Sequence, residues 1–188
     1  MKKVNLGSGQ FNKEGFINVD FDSHTSPDVV HNLDVFPYPF ESNSVDYVEA
    51  DHVLEHLSDP WKTMAEIQRI LKPGSTCSIR VPHFSRGFSH PDHKRGFDVT
   101  FPYYFDPAFK GGYSGTELQC ESVTLTWFAQ PYFKKTVFSP GLFYFLTFVG
   151  TLVDFFAWIS PPACSRIWCF WVGGFEEVSF ILKKPIKK

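Results

Sequence analysis

Short apolar runs, each bounded by turn-forming residues, mark the first 82 positions of the chain. They have the length and the flanking residues that are typical of β-strands. The predicted strands cover residues 3–6, 16–20, 28–31, 45–50 and 76–82. Residues 60–71 instead carry apolar side chains at helical spacing, behind a candidate N-cap at Asp59, and predict a helix. This alternation favours an α/β fold whose largely parallel sheet binds ligands at the carboxyl ends of its strands.

A longer apolar pattern covers residues 138–175. Positions 141–159 are apolar on all sides around one charge, Asp154, and are about long enough to cross a bilayer, which takes roughly 20 residues. A single crossing would separate an alternating edge strand predicted at 176–182 from its expected neighbour at 123–128. We therefore predict a helical hairpin lying in the membrane interface, broken at Ser160 and followed by a Trp-rich run. Burial in the core or in a homodimer interface, with Asp154 paired to Arg166, and a true membrane span are the alternatives.

Composition limits the kinds of protein that this chain can be. Its 188 residues suit one domain, and its formal net charge of −2 comes with no continuous basic stripe before the C-terminal lysines. That pattern argues against nucleic acid as the partner. The four cysteines show neither a Cys-x-x-Cys pair nor zinc spacing, and because a strand is predicted from residue 3 we expect no signal peptide. We expect a cytoplasmic protein, in contact with the inner face of the cytoplasmic membrane through residues 138–175.

The first two predicted strands carry a pattern that points to a nucleoside cofactor. The first strand runs into Gly7-Ser8-Gly9, where glycines allow close approach of a ligand and positive φ. The second strand ends on Asp20, whose carboxylate can accept both hydroxyl hydrogens of a ribose.

The spacing between these residues selects among nucleoside cofactors. A dinucleotide site needs a third glycine, where this chain has Asn12, and an acidic residue roughly 20 positions on. Asp20 lies only 13 residues after Gly7, which leaves no room for the helix whose N-terminus would hold a pyrophosphate. S-adenosylmethionine carries no phosphate, so the spacing favours it over NAD.

Five further motifs in order extend this pattern into a family resemblance. They are Asn32-Leu33-Asp34, Phe36-Pro37-Tyr38-Pro39-Phe40, Asn43-Ser44-Val45-Asp46, His52-Val53-Leu54-Glu55-His56-Leu57 and Leu71-Lys72-Pro73-Gly74. Over residues 3–82 the chain resembles the class I S-adenosylmethionine-dependent methyltransferases, in a small methyltransferase-11-like variety. Related enzymes are often encoded together with enzymes of cell-surface polysaccharide assembly. The resemblance implies a Rossmann-like, mixed and mostly parallel seven-stranded sheet, with the apolar helical insertion before its last strand.

The resemblance also assigns roles to individual residues. Gly7, Ser8 and Gly9 would border the methionine part of the cofactor, and Asp20 would hold its ribose. Asp34, or Asn32 in a shifted register, would face the adenine amino group beside Leu33. Asp51 and His52 would line the inner edge of the cofactor. The missing first helix would leave one sheet face poorly covered. Ordinary turn roles are the alternative for Asp20 and Asp34, and we expect Glu55 and His56 to serve the helix N-terminus rather than chemistry.

The histidine-rich segment 83–115 follows the last of these strands and is the expected acceptor side. A hydroxyl acceptor benefits from a base, and a histidine with a pKa near neutrality can take its proton. We name His93 or His83 as that catalytic base, with Lys94 and Arg95 to hold an anionic group. Two other interpretations stay open. The histidines could be structural, or His83, His90 and His93 could ligate a metal, although their spacing fits no common zinc signature.

Together these features predict one methyltransferase domain over residues 1–188. Residues 1–82 form its cofactor-binding half, 83–137 its acceptor side, 138–175 the apolar insertion, and 176–188 the last strand with a basic tail. The expected reaction is O-methylation of a glycan, lipid-linked or small-molecule acceptor, and no metal is assigned. The alternatives are a metal-dependent hydrolase using the His83/His90/His93 loop, a non-catalytic membrane-associated cofactor-binding module, and a dinucleotide-dependent reductase.

Overall fold

The central feature of the computed structural model, which describes residues 1–86 and 90–186, is a seven-stranded mixed sheet. Its strands are β1 Lys3–Leu6, β2 Ile17–Asp20, β3 Val29–Val30, β4 Val45–Asp51, β5 Leu71–Pro82, β6 Gln119–Thr126 and β7 Glu177–Lys183. The α-helices are α1 Pro60–Ile70, α2 Pro131–Val137, α3 Pro140–Ile159 and α4 Pro161–Arg166. Short 3₁₀ turns cover Ser23–Thr25, Phe101–Phe105 and Trp168–Phe170. The predicted fold class is confirmed.

The strand order brings the predicted ligand residues to one edge of the sheet. The order is β3-β2-β1-β4-β5-β7-β6, with β1 to β5 parallel and β7 antiparallel to both of its neighbours. The strand at 176–182 was predicted at a sheet edge, and this was wrong, since β7 lies between β5 and β6. Its residues alternate between buried and half-buried because one face of the sheet is covered, and that pattern does not require an open edge.

Strand and helix bounds agree with the sequence to within a few residues, except at β5. Leu71 pairs with Val45 and Thr76 pairs with Tyr47, so β5 begins five residues early and residues 72–75 bulge out of register. The preceding helix α1 ends at Ile70 and is capped as predicted. The Asp59 carboxylate accepts the backbone amides of Trp61 and Lys62, both at 3.1 Å.

The core lies between the sheet and the helices that pack on it. Met64, Ile67 and Ile70 form the apolar stripe of α1 and are fully buried against the sheet. Between β1 and β2 the chain makes a loop in place of a helix, as the short spacing predicts. Phe11 in that loop contacts Tyr132 of α2, with ring centroids 5.3 Å apart. Two segments that are far apart in the sequence therefore meet beside the loop that follows β1.

The apolar insertion forms the predicted broken helices, but most of α3 faces outward. Its buried residues Phe143, Gly150 and Ala157 recur every seven positions and form one narrow stripe toward the protein. The expected helix break is confirmed, because α3 ends at Ile159 and α4 begins at Pro161. α3 is long and apolar enough to cross a membrane by length and composition, with 17% of its apolar window buried. The alternative of burial inside this chain is therefore wrong.

The single charge of α3 is satisfied in an unexpected way. Asp154 accepts the backbone amide of Trp127 at 2.7 Å. Arg166, its expected partner, instead forms an ion pair with Asp98. The predicted pairing failed because Asp154 lies next to Trp127, the residue that follows β6, whose amide needs an acceptor.

Candidate active site

The loop after β1 has a shape that requires glycine. Gly7 has φ +66°, and a Cβ atom there would lie 2.5 Å from Cγ2 of Val53. The turn that follows β4 therefore packs directly against this loop. Ser8 is 3% exposed and its Oγ is buried without a hydrogen-bond partner among the described residues. A polar atom buried in this way calls for a ligand.

The carboxylate of Asp20 is held rigidly beside that loop. Its Oδ2 accepts the amide of Gly9 at 2.8 Å, and its Oδ1 accepts the amide of Asp22 at 3.0 Å. Each carboxylate oxygen keeps further lone pairs, so the group can also accept two hydroxyl donors. This arrangement fits the vicinal hydroxyls of a ribose.

Two adjoining cavities surround these residues. The smaller, of about 220 Å³, is lined by Gly7, Asp20, Phe21, His31, Asn32, Leu33, His52, Val53, His56 and Leu57. The larger, of about 500 Å³, is lined by Asn5, Gly7, Ser8, Gly9, Gln10, Phe11, Lys13, Asp51, His52, Arg80, Gln130, Pro131, Tyr132 and Glu177. They share Gly7 and His52, so a ligand in one is next to a ligand in the other.

The predicted cofactor residues line these two cavities, with Asp34 as the exception. The Asp34 carboxylate instead accepts the amide of Ser58 at 2.8 Å and its hydroxyl at 3.1 Å, which ties two loops together. Asn32, the alternative in the shifted register, lines the smaller cavity next to Leu33. The Asp34 assignment is therefore corrected in favour of Asn32. The sequence could not distinguish Asn32 from Asp34 as the adenine-binding residue, because only Leu33 lies between them in the same turn.

His52 lies between two carboxylates where the cavities meet. Its Nδ1 is 3.1 Å from Oε1 of Glu55 and its Nε2 is 3.0 Å from Oε2 of Glu177. Burial opposes the charged ring, but the hydrogen bonds to Glu177 and Glu55 outweigh it and raise the pKa of His52 to about 10. Burial also raises the pKa of Asp51, against the attraction of the nearby Arg80.

The two histidines that were predicted to be catalytic have very different environments. His83 is fully buried; its Nδ1 meets Oγ of Ser85 at 2.7 Å and its Nε2 meets Oγ of Ser165 at 2.8 Å. Burial lowers the pKa of His83 to about 4. It lines none of the described cavities, so the prediction that His83 takes a proton from an acceptor is corrected to a structural role.

His93 lies close to the smaller cavity, behind His56. Its ring centroid is 4.9 Å from that of His56 and 5.0 Å from that of His90. Its Nε2 is 3.9 Å from Oε1 of the buried Glu55. The predicted metal set of His83, His90 and His93 is therefore not assembled, because His83 is bound elsewhere.

A third cavity, of about 670 Å³, opens beside the start of α1. Aromatic rings and charged groups line it: Trp61, Phe84, Phe101 and Tyr104 with Asp59, Arg95, Asp98 and Arg166. Arg95 donates to the carbonyl of Leu57 at 2.7 Å, and Lys94 donates to Oγ of Ser58 at 3.3 Å. Of the two predicted anion-holding residues, Arg95 thus lines a cavity and Lys94 lies beside it.

Several lining residues escaped the sequence-based prediction. Phe11 and Tyr132 form one aromatic wall, and Arg80 and Glu177 form a polar one. Glu177 begins β7 and reaches His52 across 125 positions of sequence. Only the pairing of β7 between β5 and β6 brings it there, and no local pattern signals that. The predicted helix-start role of Glu55 and His56 was also wrong, since α1 begins at Pro60.

Comparison with known proteins agrees with this geometry. Residues 12–79 match the family model described as a methyltransferase domain. This part of the chain is therefore similar to a methyltransferase domain. A stretch of 60 residues is 35% identical to an uncharacterized 37.1 kDa protein in transposon TN4556 of Streptomyces fradiae. That match covers 31% of this chain and 17% of the relative, so the chain spans about a sixth of that protein.

Solved structures with the same fold align with nearly the whole chain. An S-adenosylmethionine-dependent methyltransferase from Archaeoglobus fulgidus has a TM-score of 0.58 at 16% identity, covering 97% of this chain and 86% of that one. A chain from the Haloferax volcanii complex of the Trm112 methyltransferase activator has a TM-score of 0.58 at 18% identity, covering 98% and 83%. The [4+2]-cyclase SpnF has a TM-score of 0.57 at 12% identity, covering 99% and 76%. These likenesses show the fold.

The residues at this site fit S-adenosylmethionine as a cofactor. The anchored Asp20 carboxylate suits its ribose, and the unpartnered Ser8 hydroxyl lies where a ligand must come close. Gly7 leaves the space that a side chain would fill. The loop between β1 and β2 offers no helix N-terminus for a pyrophosphate, in agreement with a cofactor without phosphate.

Proposed function

We propose that the protein transfers a methyl group to an acceptor oxygen of a glycan, lipid-linked or small-molecule substrate. The observation that carries this proposal is the pair of adjoining cavities that share Gly7 and His52. The smaller has the ribose and adenine residues. The larger has room for the rest of the cofactor and an acceptor, between the Phe11–Tyr132 aromatic wall and the carboxylates of Asp51 and Glu177.

The chain's own contribution to this reaction is mainly alignment. When bound, S-adenosylmethionine supplies an electrophilic methyl group on a sulfonium. Asp20 and the glycine loop would hold the nucleoside, and the aromatic wall would exclude water from the larger cavity. Holding two reactants in line removes up to several kcal/mol of the barrier. Of the two histidines predicted to be catalytic, His93 lies near the cofactor cavity, through its contact with His56.

An oxygen atom of a sugar or lipid-linked sugar is the acceptor that the surroundings favour. Aromatic rings and charged groups interleave in the third cavity, where Trp61 and Tyr104 can stack on sugar rings and Arg95 can hold a phosphate or uronate. The hydrolase alternative loses its basis, because His83 is bound to Ser85 and Ser165, apart from His90 and His93.

We also infer that α3 and its neighbours rest on a membrane surface. Large side chains project outward from this region, among them Phe145 at 61%, Phe148 at 63% and Trp158 at 73% exposure. Lys135 on α2 is exposed beside it and would attract anionic lipid, whereas the predicted second cation, Lys134, is bound to Glu176. Of the basic tail, Lys187 and Lys188 lie outside the described residues. This placement supports a cytoplasmic enzyme that meets a lipid-linked acceptor at the inner membrane face, with a homodimer through α3 as the competing arrangement.

The test of function is methyl transfer into extracted lipid-linked glycans. Labelled S-adenosylmethionine is incubated with the extract and wild-type protein, and both product label and released S-adenosylhomocysteine are measured. We expect label in the lipid fraction and its loss in Asp20→Asn. Glu14→Gln is the matched control, an exposed carboxylate on the same loop that lines no described cavity. A non-catalytic cofactor-binding module would release no S-adenosylhomocysteine with any fraction.

A further inference from the structure

We propose that Glu55, His56 and His93 form a binding site for a divalent transition-metal ion such as Zn²⁺, at the edge of the smaller cavity. The site itself stands on geometry alone, whereas its role in methyl transfer rests on the proposed function. It differs from the histidine set considered from the sequence, since His83 is absent from it and Glu55 and His56 are new.

The buried carboxylate of Glu55 is the first observation. Glu55 is 0% exposed, and its Oε1 lies 3.1 Å from Nδ1 of His52. Its other oxygen, Oε2, is also buried and has no hydrogen-bond partner among the described residues. Leaving a buried polar atom without a partner destabilises a protein, and more so when the group is charged. A bound cation would remove that penalty.

The placement of two histidines around Glu55 is the second observation. One ligand atom from each of Glu55, His56 and His93 lies within 4.8 Å of the others. Nε2 of His93 is 3.9 Å from Oε1 of Glu55. Ligand atoms at the usual zinc distances of about 2.0–2.2 Å stand roughly 3.5 Å from one another around a tetrahedral ion. The three groups therefore need only a small convergence to share one ion.

Backbone contacts hold the two halves of this site together without the ion. The amide of Lys94 donates to the carbonyl of Glu55 at 3.0 Å, and Arg95 donates to the carbonyl of Leu57 at 2.7 Å. These bonds fix the segment that carries His93 onto the turn that carries Glu55 and His56. The site is thus arranged in advance, which favours binding because little chain entropy is lost.

The donor set selects the kind of ion. Two imidazoles and one carboxylate are typical of catalytic transition-metal sites, which keep at least one position open. His90 lies alongside, with its ring 5.0 Å from His93 and 5.9 Å from His56, and is exposed. Mg²⁺ and Ca²⁺ prefer oxygen ligands and suit this set poorly.

A neighbouring cluster of Asp51, His52 and Glu177 also brings three potential ligand atoms together, but it is already satisfied. Both ring nitrogens of His52 contact carboxylates, those of Glu55 and Glu177, at 3.1 and 3.0 Å. Asp51 accepts a hydrogen bond from Arg80 at 3.0 Å. No nitrogen of His52 is left for an ion in this cluster.

The place of the site suggests what the ion does. His56 lines the smaller cavity together with His52, which also lines the larger one, so an acceptor in the larger cavity would reach the ion from the junction of the two. A hydroxyl oxygen of the acceptor that binds the ion loses its proton to solvent more readily. That oxygen forms the new C–O bond while the C–S bond of the sulfonium breaks, which gives a methyl ether and S-adenosylhomocysteine. In this scheme His93 is a metal ligand and not the general base.

The test is a direct titration with Zn²⁺ alone, on tag-free full-length protein stripped with a chelator. Calorimetry should show one ion per chain, and Co²⁺ in its place should give the absorption bands of a nitrogen- and oxygen-bound ion. Glu55→Gln and His93→Asn should each weaken Zn²⁺ binding by at least about tenfold. His24→Asn removes a histidine whose side chain is 93% exposed, away from the site, and should leave binding unchanged.

Several results would overturn the proposal. One is the absence of stoichiometric Zn²⁺ binding in folded wild-type protein. Another is binding that survives both His93→Asn and Glu55→Gln but is lost in Glu177→Gln, which would place the ion at the neighbouring cluster. Because Glu55 is buried, His93→Asn decides the matter if Glu55→Gln does not fold. S-adenosylhomocysteine binding is measured on the same samples, so Zn²⁺ binding without it would contradict the proposed function and leave the metal site standing.

Discussion

His83 should make the protein lose stability as the solution becomes mildly acidic. The ring is fully buried beside Phe84 and Phe175, with ring centroids at 4.5 and 5.9 Å, and a serine hydroxyl faces each nitrogen. Burial lowers the pKa of His83 to about 4; the nearby Asp98 carboxylate counteracts this and Arg166 reinforces it. The folded protein therefore keeps this histidine neutral.

The size of the effect follows from the pKa difference between the two states. A pKa of 6.5 in the unfolded chain and about 4 in the folded chain corresponds to about 3 kcal/mol. Since the unfolded chain takes up the proton first, this stability is complete above pH 6.5. It is lost as the pH falls from 6.5 toward 4.

Urea unfolding of wild type and His83→Gln between pH 7 and pH 4 measures this contribution. We expect the free energy of unfolding of the wild type to fall steeply over that range, and that of the variant to fall much less, because glutamine does not titrate. Asp98 also has a lowered pKa, but its contribution is lost below its usual value of 3.8 and does not overlap. His24→Asn should keep the wild-type slope. Equal slopes for His83→Gln and wild type would refute the reasoning.

Three other predictions test the cofactor loop, the first helix and the apolar insertion. Gly7→Ala places a Cβ atom 2.5 Å from Val53 at φ +66°, so cofactor binding should be lost and the melting temperature lowered, as calorimetry would show; unchanged binding would contradict the packing. Asp59→Ala removes the cap of α1 and should cost about 1 kcal/mol in urea unfolding without changing cofactor affinity, and no loss of stability would contradict the capping. Phe148→Glu on α3 should abolish flotation with anionic lipid vesicles, whereas Val30→Glu, on the opposite edge of the sheet, should not. If Phe148→Glu instead keeps vesicle binding, or only dissociates a dimer in light scattering, the membrane proposal fails.

The sequence predicted local features of this fold well because they depend on near neighbours. The strand bounds, the Asp59 cap and the helix break at Ser160 each follow from a few adjacent residues. Gly7 and Asp20 could be assigned to a cofactor because their spacing of 13 residues leaves a loop between two adjacent parallel strands.

The parts that the sequence missed depend on contacts between distant segments. His83 and His93 look alike in the sequence, and only the packing of α4 buries one of them against Ser165. Glu177 reaches His52 because β7 inserts between β5 and β6. Glu55 was assigned to a helix start, whereas the structure shows a buried carboxylate with an unsatisfied oxygen.

The most direct test of the methyltransferase assignment is calorimetric titration with S-adenosylhomocysteine, using wild type and Asp20→Ala, with NAD as the control ligand. The account predicts micromolar binding by the wild type, its loss in Asp20→Ala, and no binding of NAD. Absence of S-adenosylhomocysteine binding in folded wild-type protein, or equal binding by Asp20→Ala, would contradict it.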